Sequence, residues 1–401
     1  MLYSLYFLLA LFLSLAITPL IKILAVNLQI IDTPKAPRKI HALPTPLLGG
    51  LAIFLSFLLA LLAYLQFGNA NFQVVPMKFF VGIILGGLVL VLGGAIDDKY
   101  NLPPKILWLF PALASLIVVL SGIGVGIKFI SNPFGAPINI DHTFFLFTIP
   151  LTLSAILAWA WMMGMIFTTK LLDGLDGLAA GIALIGGLTM FALSLGPKIN
   201  QPITATLAII FCGALLGYLF FAFNPASIFL GEGGSTFLGF ILGVLAIISG
   251  AKIATALLVM GIPILDVAWV IVKRLWFHKS PFSGDRQHLH FKLMDIGLSQ
   301  RQAVLVLYAI SAVFGGTAVF LQSMGKLIAL VILLCVMVAI ALVTVILYKR
   351  QHPHIPDLFD SAQKSGVDPV RNHPTTTINN RLTVDLENKL ISNGVDQNQQ
   401  K

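Results

Sequence analysis

Ionised side chains are scarce in this chain. Asp, Glu, Lys and Arg make up 10% of its 401 residues, against roughly a quarter in a soluble domain. That deficit argues against a water-soluble globule. Cysteine is rarer still: Cys212 and Cys335 are the two in the chain, both within apolar runs, so they read as packing residues and not as a disulfide or a metal site. The first apolar run lacks a basic leader and a small-residue cleavage site, and so reads as an uncleaved helix. Acid is also short relative to base, leaving a formal charge of +9. An excess of this kind can signal nucleic acid, but its distribution here points to a membrane and to no nucleic-acid partner.

What is abundant is apolar sequence, at 58% hydrophobic residues. The spacing predicts an all-α, polytopic membrane protein with about eleven spans, at about 3–25, 48–67, 79–96, 106–127, 144–167, 178–195, 203–223, 236–250, 254–272, 303–322 and 327–348. Most reach the roughly 20 residues that a bilayer-crossing helix needs. Base concentrates in the loops that follow odd-numbered spans, as at Lys35, Arg38, Lys39, Arg274 and Arg286. The opposite loops hold Lys78, Lys128, Lys198, Lys252 and Lys326 and no arginine. The positive-inside rule then places the N-terminus outside and the C-terminus in the cytoplasm. Residues 1–350 form the expected transmembrane domain. Residues 351–401 are polar, with several prolines, and read as a disordered or weakly helical cytoplasmic tail. No solenoid repeat or inverted transporter repeat is evident.

The inner loops hold nearly all the acids and histidines of the membrane domain. In "DTPKAPRKIHALPTPLLGG" (Asp32–Gly50), Lys39 and His41 belong to a basic, proline-broken strip. It suits either anionic lipid headgroups or a phosphate ligand. In "GGAIDDKYNLPPK" (Gly93–Lys105), adjacent Asp97 and Asp98 repel one another and invite a divalent cation or a nearby base; a solvated turn paired to Lys99 and Lys105 is the alternative. In "TTKLLDGLDGLAAG" (Thr168–Gly181), Asp173 and Asp176 share one face if helical. Acids complementing the dipole of the next helix explain one of them better than both. Glu232 sits in a glycine-rich stretch whose N–H groups could hold phosphate. Asp266 lies within a span, where an acid is a functional candidate by default. Arg286, His288 and His290 follow on a long basic segment. Oxygen donors elsewhere favour magnesium over zinc, so the histidines read as substrate donors.

These acid-bearing loops share one membrane face, as a site for a lipid phosphate and a charged soluble substrate would. "RKIHALPTPLLGG", "GGAIDDKY", "LLDGLDGLAAG", "FNPASIFLGEGGS", "PILD" and "DRQHLHFKLMDIGLS" together resemble the polyprenyl-phosphate N-acetylhexosamine-1-phosphate transferases. These are relatives of the phospho-N-acetylmuramoyl-pentapeptide transferase, and the resemblance runs from about Asp32 to Ser299. It implies a multi-pass cell-membrane enzyme with a cytoplasmic site. Undecaprenyl phosphate would attack the β-phosphorus of a UDP-N-acetylhexosamine, releasing UMP in a first membrane step of envelope polysaccharide synthesis. It also implies magnesium, with manganese as an alternative ion, and leaves room for a homodimer.

By the same resemblance Asp97, Asp98 and Asp266 are the catalytic candidates, and Asp173 and Glu232 the metal ligands. Lys39, His41, Lys170, Asp176, Asn224, Phe229, Arg286, His288 and His290 are the substrate-binding set, Phe229 being suited to stacking on uracil. The "DRQHLH" segment looks like the branch that uses UDP-N-acetylglucosamine. Four positions depart from the family pattern: Lys170 replaces an Asn, Glu232 an Asp, Phe291 a His and Asn101 an Asp. Glu232 carries its carboxylate about 1.5 Å further out than Asp would. Lys170 adds a charge that can replace part of the metal's role or reshape sugar choice. A transporter or lipid-binding protein is the competing class, though its ionisable groups should sit at the bilayer midplane on broken helices. A non-catalytic family member is the third reading.

Overall fold

A computed structural model of the chain describes residues 2–34, 43–68, 75–125, 129–130, 132, 135–136, 138–139, 142–146, 149–196, 199–249, 253–276, 288–321 and 323–351. Lys39, His41, Arg286 and the tail beyond 351 lie outside them. Residues 1–344 make one compact unit and residues 345–401 a second; the described part of the second is the last turns of one helix.

The first unit is mostly helical. Its helices are α1 (Leu2–Asn27), α2 (Gly49–Phe67), α3 (Met77–Tyr100), α4 (Pro104–Leu107), α5 (Leu109–Leu120), α6 (Leu153–Leu172), α7 (Leu178–Ser194), α8 (Pro202–Ala222), α9 (Gly231–Ile248), α10 (Ile253–Val259), α11 (Gly261–Trp276), α12 (Leu289–Asp295) and α13 (Gln300–Phe320), followed by α14 (Ser323–Gln351). Among the described residues eight helices are long and apolar enough to cross a membrane, or nine if α10 and α11 count as one bent span. α8 and α9 are largely buried, whereas 22% of the α1 and α14 spans is buried. On α1 the exposed surface includes Leu5, Phe12 and Leu20, an apolar face of the kind a bilayer covers.

The structure revises several expected spans. The segment from 144 does not begin as a helix. Instead β5 (Thr143–Leu146) and β6 (Ile149–Thr152) form an antiparallel hairpin, pairing Thr143 with Thr152. β-Branched and aromatic residues suit a pleated strand, and Thr152 then caps α6 by accepting the Ala155 N–H at 3.2 Å. The expected span at 106–127 is shorter, because α5 ends at Leu120. The expected span at 254–272 bends by 81° between α10 and α11, where Pro263 lacks the N–H a continuous helix would need. The short span expected from 236 begins five residues earlier, at Gly231.

Among the described residues the strands form three two-stranded pieces, which is the amendment they make to the all-α expectation. β1 (Ile31–Asp32) pairs with β2 (Thr45–Pro46), Asp32 opposite Thr45, and β3 (Phe129–Ile130) pairs with β4 (Ile138–Asn139).

Glycine pairs bring three of the helices together. A Cβ on Gly50 of α2 would strike Gly234 of α9, and one on Gly94 of α3 would strike the backbone of Gly233. Small residues let helices cross with their backbones nearly touching, the close packing used between helices in membranes. This crossing fixes the end of α3 that bears Asp97 and Asp98 against the start of α9.

Candidate active site

The first turn of α9 is where the acids meet. Glu232 is helical here and not in a loop, and its N–H donates to both Asp98 oxygens, at 3.0 and 3.2 Å. A helix N-terminus attracts an anion because its N–H groups have no internal partner. Asp98 fills that position. The glycines beside Glu232 are used for helix crossing, so the phosphate cradle expected of this stretch is not what these groups form. Asp97 acts differently. One of its oxygens accepts the Leu102 N–H at 2.8 Å, closing the end of α3 beyond the left-handed Asn101.

α6 packs against α9, with Thr169 beside Gly239, and this delivers Lys170 to Glu232. The Lys170 Nζ stands 2.6 Å from Glu232 Oε1, in a pair whose side chains are 22% and 15% exposed. The two departures from the family pattern thus touch one another.

Asp173 follows at the C-cap of α6. The charges of Glu232, Asp98 and Asp176 act on its carboxyl. Solvent still reaches the side chain, so a cation can reach it too. Asp176 Oδ2 accepts from Asn224 Nδ2 at 2.9 Å and from the Ala226 N–H at 3.1 Å. Asp176 therefore holds the loop between α8 and α9. Gly177 then caps α7 with φ +77°, a left-handed conformation that favours glycine.

Asn224 is tied further by Gln300 Oε1 at 2.8 Å, and its carbonyl accepts from Arg301 Nε at 2.8 Å. Tyr308 donates to the Gly177 carbonyl at 2.6 Å. Gln300, Arg301 and Tyr308 are not among the site residues expected from sequence; one signal nearby is the Ser299/Gln302 capping box that starts α13. Phe229 is partly buried, with its N–H on the Pro46 carbonyl and its carbonyl accepting the Gly49 N–H. The loop after α8 is thereby stitched to the strand that precedes α2.

Asp266 and the histidines form a second cluster. Asp266 Oδ2 meets His288 Nδ1 at 2.8 Å, and Oδ1 accepts the Leu289 N–H at 2.9 Å. Both oxygens are spent on aiming His288 and starting α12. His288 stacks parallel to His290 at 5.6 Å. His290 is 2% exposed, its Nε2 has no hydrogen-bond partner among the described residues, and it faces Gly174 between the two DGLDG aspartates. Burial lowers its pKa to about 4, so the ring is neutral near pH 7 and can offer or accept one hydrogen bond at that atom.

No three His, Cys, Asp or Glu side chains among the described residues are placed to share one ion. Their chemistry nevertheless suits magnesium, which keeps several waters and takes one or two carboxylates together with substrate phosphates. Asp173 and Glu232 are the pair that could provide them.

A helical membrane protein with carboxylates gathered where several helices end is the class that fold and site define. Residues 80–250 match the family model described as glycosyl transferase family 4. The chain is 33% identical over 327 residues to a probable undecaprenyl-phosphate N-acetylglucosaminyl 1-phosphate transferase of Bacillus subtilis, covering 79% of this chain and 84% of that protein. It is 29% identical to a decaprenyl-phosphate N-acetylglucosaminephosphotransferase of Mycolicibacterium smegmatis, over 82% and 85% of the two chains. An undecaprenyl-phosphate alpha-N-acetylglucosaminyl 1-phosphate transferase of Salmonella typhi shares 27% identity over 74% and 77%. The chain belongs to the polyprenyl-phosphate N-acetylhexosamine-1-phosphate transferases of glycosyl transferase family 4.

Proposed function

We propose that this protein transfers N-acetylglucosamine-1-phosphate from UDP-N-acetylglucosamine to a polyprenyl phosphate. A lipid phosphate oxygen bonds to the β-phosphorus, the bond from that phosphorus to the oxygen bridging the α-phosphate breaks, and UMP leaves with the electron pair. The observation that carries this reading is the convergence of Asp98, Glu232, Lys170, Asp173 and Asp176 from three helix ends and one turn, in a chain whose relatives bear that activity in their names.

A phosphate monoester has its second pKa near 6, so the lipid nucleophile needs no strong base at neutral pH. What the protein must supply is then positioning and charge management. Asp98 fixes the first turn of α9 and thereby Glu232. Asp97 closes the helix end beside it. Asp176 sets Asn224 and the following loop, Asp266 sets His288, and His290 presents a neutral nitrogen to the DGLDG turn. Magnesium, or manganese in its place, would be held by Asp173 and Glu232 and would supply charge neutralisation to the diphosphate.

Eleven spans are our reading of the topology. It is supported by the eight long helices, the bent α10–α11 pair and two shorter apolar helices at Pro104–Leu120 and Leu178–Ser194. The charge asymmetry of the loops supports an outer N-terminus and a site facing the cytoplasm from the cell membrane, residues 1–350 forming the catalytic domain. A homodimer is compatible with this arrangement.

Purified protein in detergent, given magnesium, undecaprenyl phosphate and a panel of UDP-sugars, should release UMP, most rapidly from UDP-N-acetylglucosamine. No UMP from any of them would sink the reading. That outcome would leave a member of the family without catalysis.

A further inference from the structure

We propose that the Lys170 ammonium is a resident cation of the carboxylate site, clasped by Glu232, and that it sets how tightly the site takes a divalent ion. The inference rests on the transferase reading above and adds a residue that tunes it. Lys170 lies in the last turn of α6, where a basic side chain would be well placed simply by pointing at the helix's own carbonyl end. It instead reaches across to α9 and closes on Glu232 Oε1 at 2.6 Å. Both side chains are largely shielded, so salt screens their interaction far less than it would a surface pair.

Two consequences follow from charge alone. The ammonium engages an oxygen that an ion at Asp173 and Glu232 would compete for, and its positive charge repels that ion. It also offsets part of the mutual repulsion among Asp98, Asp173, Asp176 and Glu232, so the acids can stay together before any ligand arrives. A separate feature marks the turn as built to receive a further group. The His290 Nε2, in a side chain 2% exposed and with no hydrogen-bond partner among the described residues, is directed at Gly174 between the two aspartates.

The test measures ion affinity without turnover. Mn2+ is titrated into substrate-free, full-length protein in detergent, and the free-ion electron paramagnetic resonance signal is followed. Lys170→Gln should bind Mn2+ about tenfold more tightly than wild type, the effect of removing one screened positive charge near the ion. Lys170→Arg, which keeps the charge, should stay close to wild type. Glu232→Asp keeps the acid but draws it back from the ammonium by about 1.5 Å, so it should also tighten binding. The double variant should gain less than the sum of the two, because both changes break the same pair.

If Lys170→Gln does not fold, Glu232→Asp carries the test alone. Equal affinities in wild type and these variants, weaker binding in Lys170→Gln, or fully additive effects in the double variant would overturn the proposal. UMP release is assayed on the same wild-type preparation. Its absence alongside the predicted Mn2+ shifts would overturn the transferase reading and leave the clasp standing.

Discussion

Acid residues in this site divide by what their oxygens already hold. Asp98, Asp176 and Asp266 each accept backbone N–H groups, and two of them also hold a side chain. Asp173, at the end of its helix, is open to solvent. The first three act by placing other groups, and Asp266 is the clearest case. Asp266→Asn keeps the shape and one acceptor oxygen but removes the charge opposite His288 and turns a donor toward one of the two N–H groups. His288 then loses its fixed direction. Misplacement by about 1 Å can cost on the order of a hundredfold in rate, so UMP release should fall by about ten- to a hundredfold. Because His288→Gln removes the group that Asp266 aims, adding Asp266→Asn to it should cost little more. Two independent losses that multiply would place Asp266 in a role of its own. Asp266 stands out in the sequence by its position inside a span. Its partners are not adjacent to it in the chain, since His288 lies 22 residues on, and nothing in the spacing announces that separation.

At the scale of elements, the diglycines decide where the chemistry sits. "LLGG", "VLGG" and "GEGG" look alike as strings, and a Gly-rich stretch next to an acid invites a phosphate-cradle reading. The structure uses two of these pairs to lay α2 and α3 against the third, in α9, backbone on backbone. Local propensity could not reveal this, because which glycine faces which helix is set by the crossing. Gly94→Ala places its methyl against the Gly233 backbone, which cannot move aside as a flexible side chain could. Overpacking of this kind costs about 1–3 kcal/mol or more, and it would also pull Asp98 from the Glu232 N–H. The variant should therefore unfold at a lower temperature in detergent and lose activity disproportionately. Gly316→Ala on α13 meets nothing within 4 Å and gains helix propensity of up to about 1 kcal/mol, so it should melt at or above the wild-type temperature. Equal destabilisation by the two would refute the crossing as the constraint. The helices themselves are readable from apolar length. The exceptions are places where short-range chemistry overrides length, such as the 143–152 hairpin and the bend ahead of Pro263.

Across the whole molecule, charge asymmetry is the feature most directly legible in the sequence, and it bears on which side the site faces. Lys78 and Lys99 lie near opposite ends of α3, a helix of 24 residues and so about 36 Å long at 1.5 Å per residue. That length exceeds the roughly 30 Å hydrocarbon layer, so a bilayer-crossing α3 would carry the two lysines on opposite sides. Lys78 belongs to the arginine-free set of loops, whereas Lys99 adjoins Asp97 and Asp98. With Cys335→Ser removing the exposed native thiol and Cys212 fully buried, single cysteines at these two positions report the orientation. In intact cells a membrane-impermeant maleimide should label Lys78→Cys at once and Lys99→Cys only after permeabilisation. The reverse pattern would place the carboxylate cluster outside, away from any cytoplasmic nucleotide sugar, and would contradict the assigned donor. Labelling of both in intact cells would mean that α3 does not cross. The expected pattern joins the lipid's phosphate, which the bilayer holds at the interface, to a soluble donor on the same face as Asp173 and Glu232.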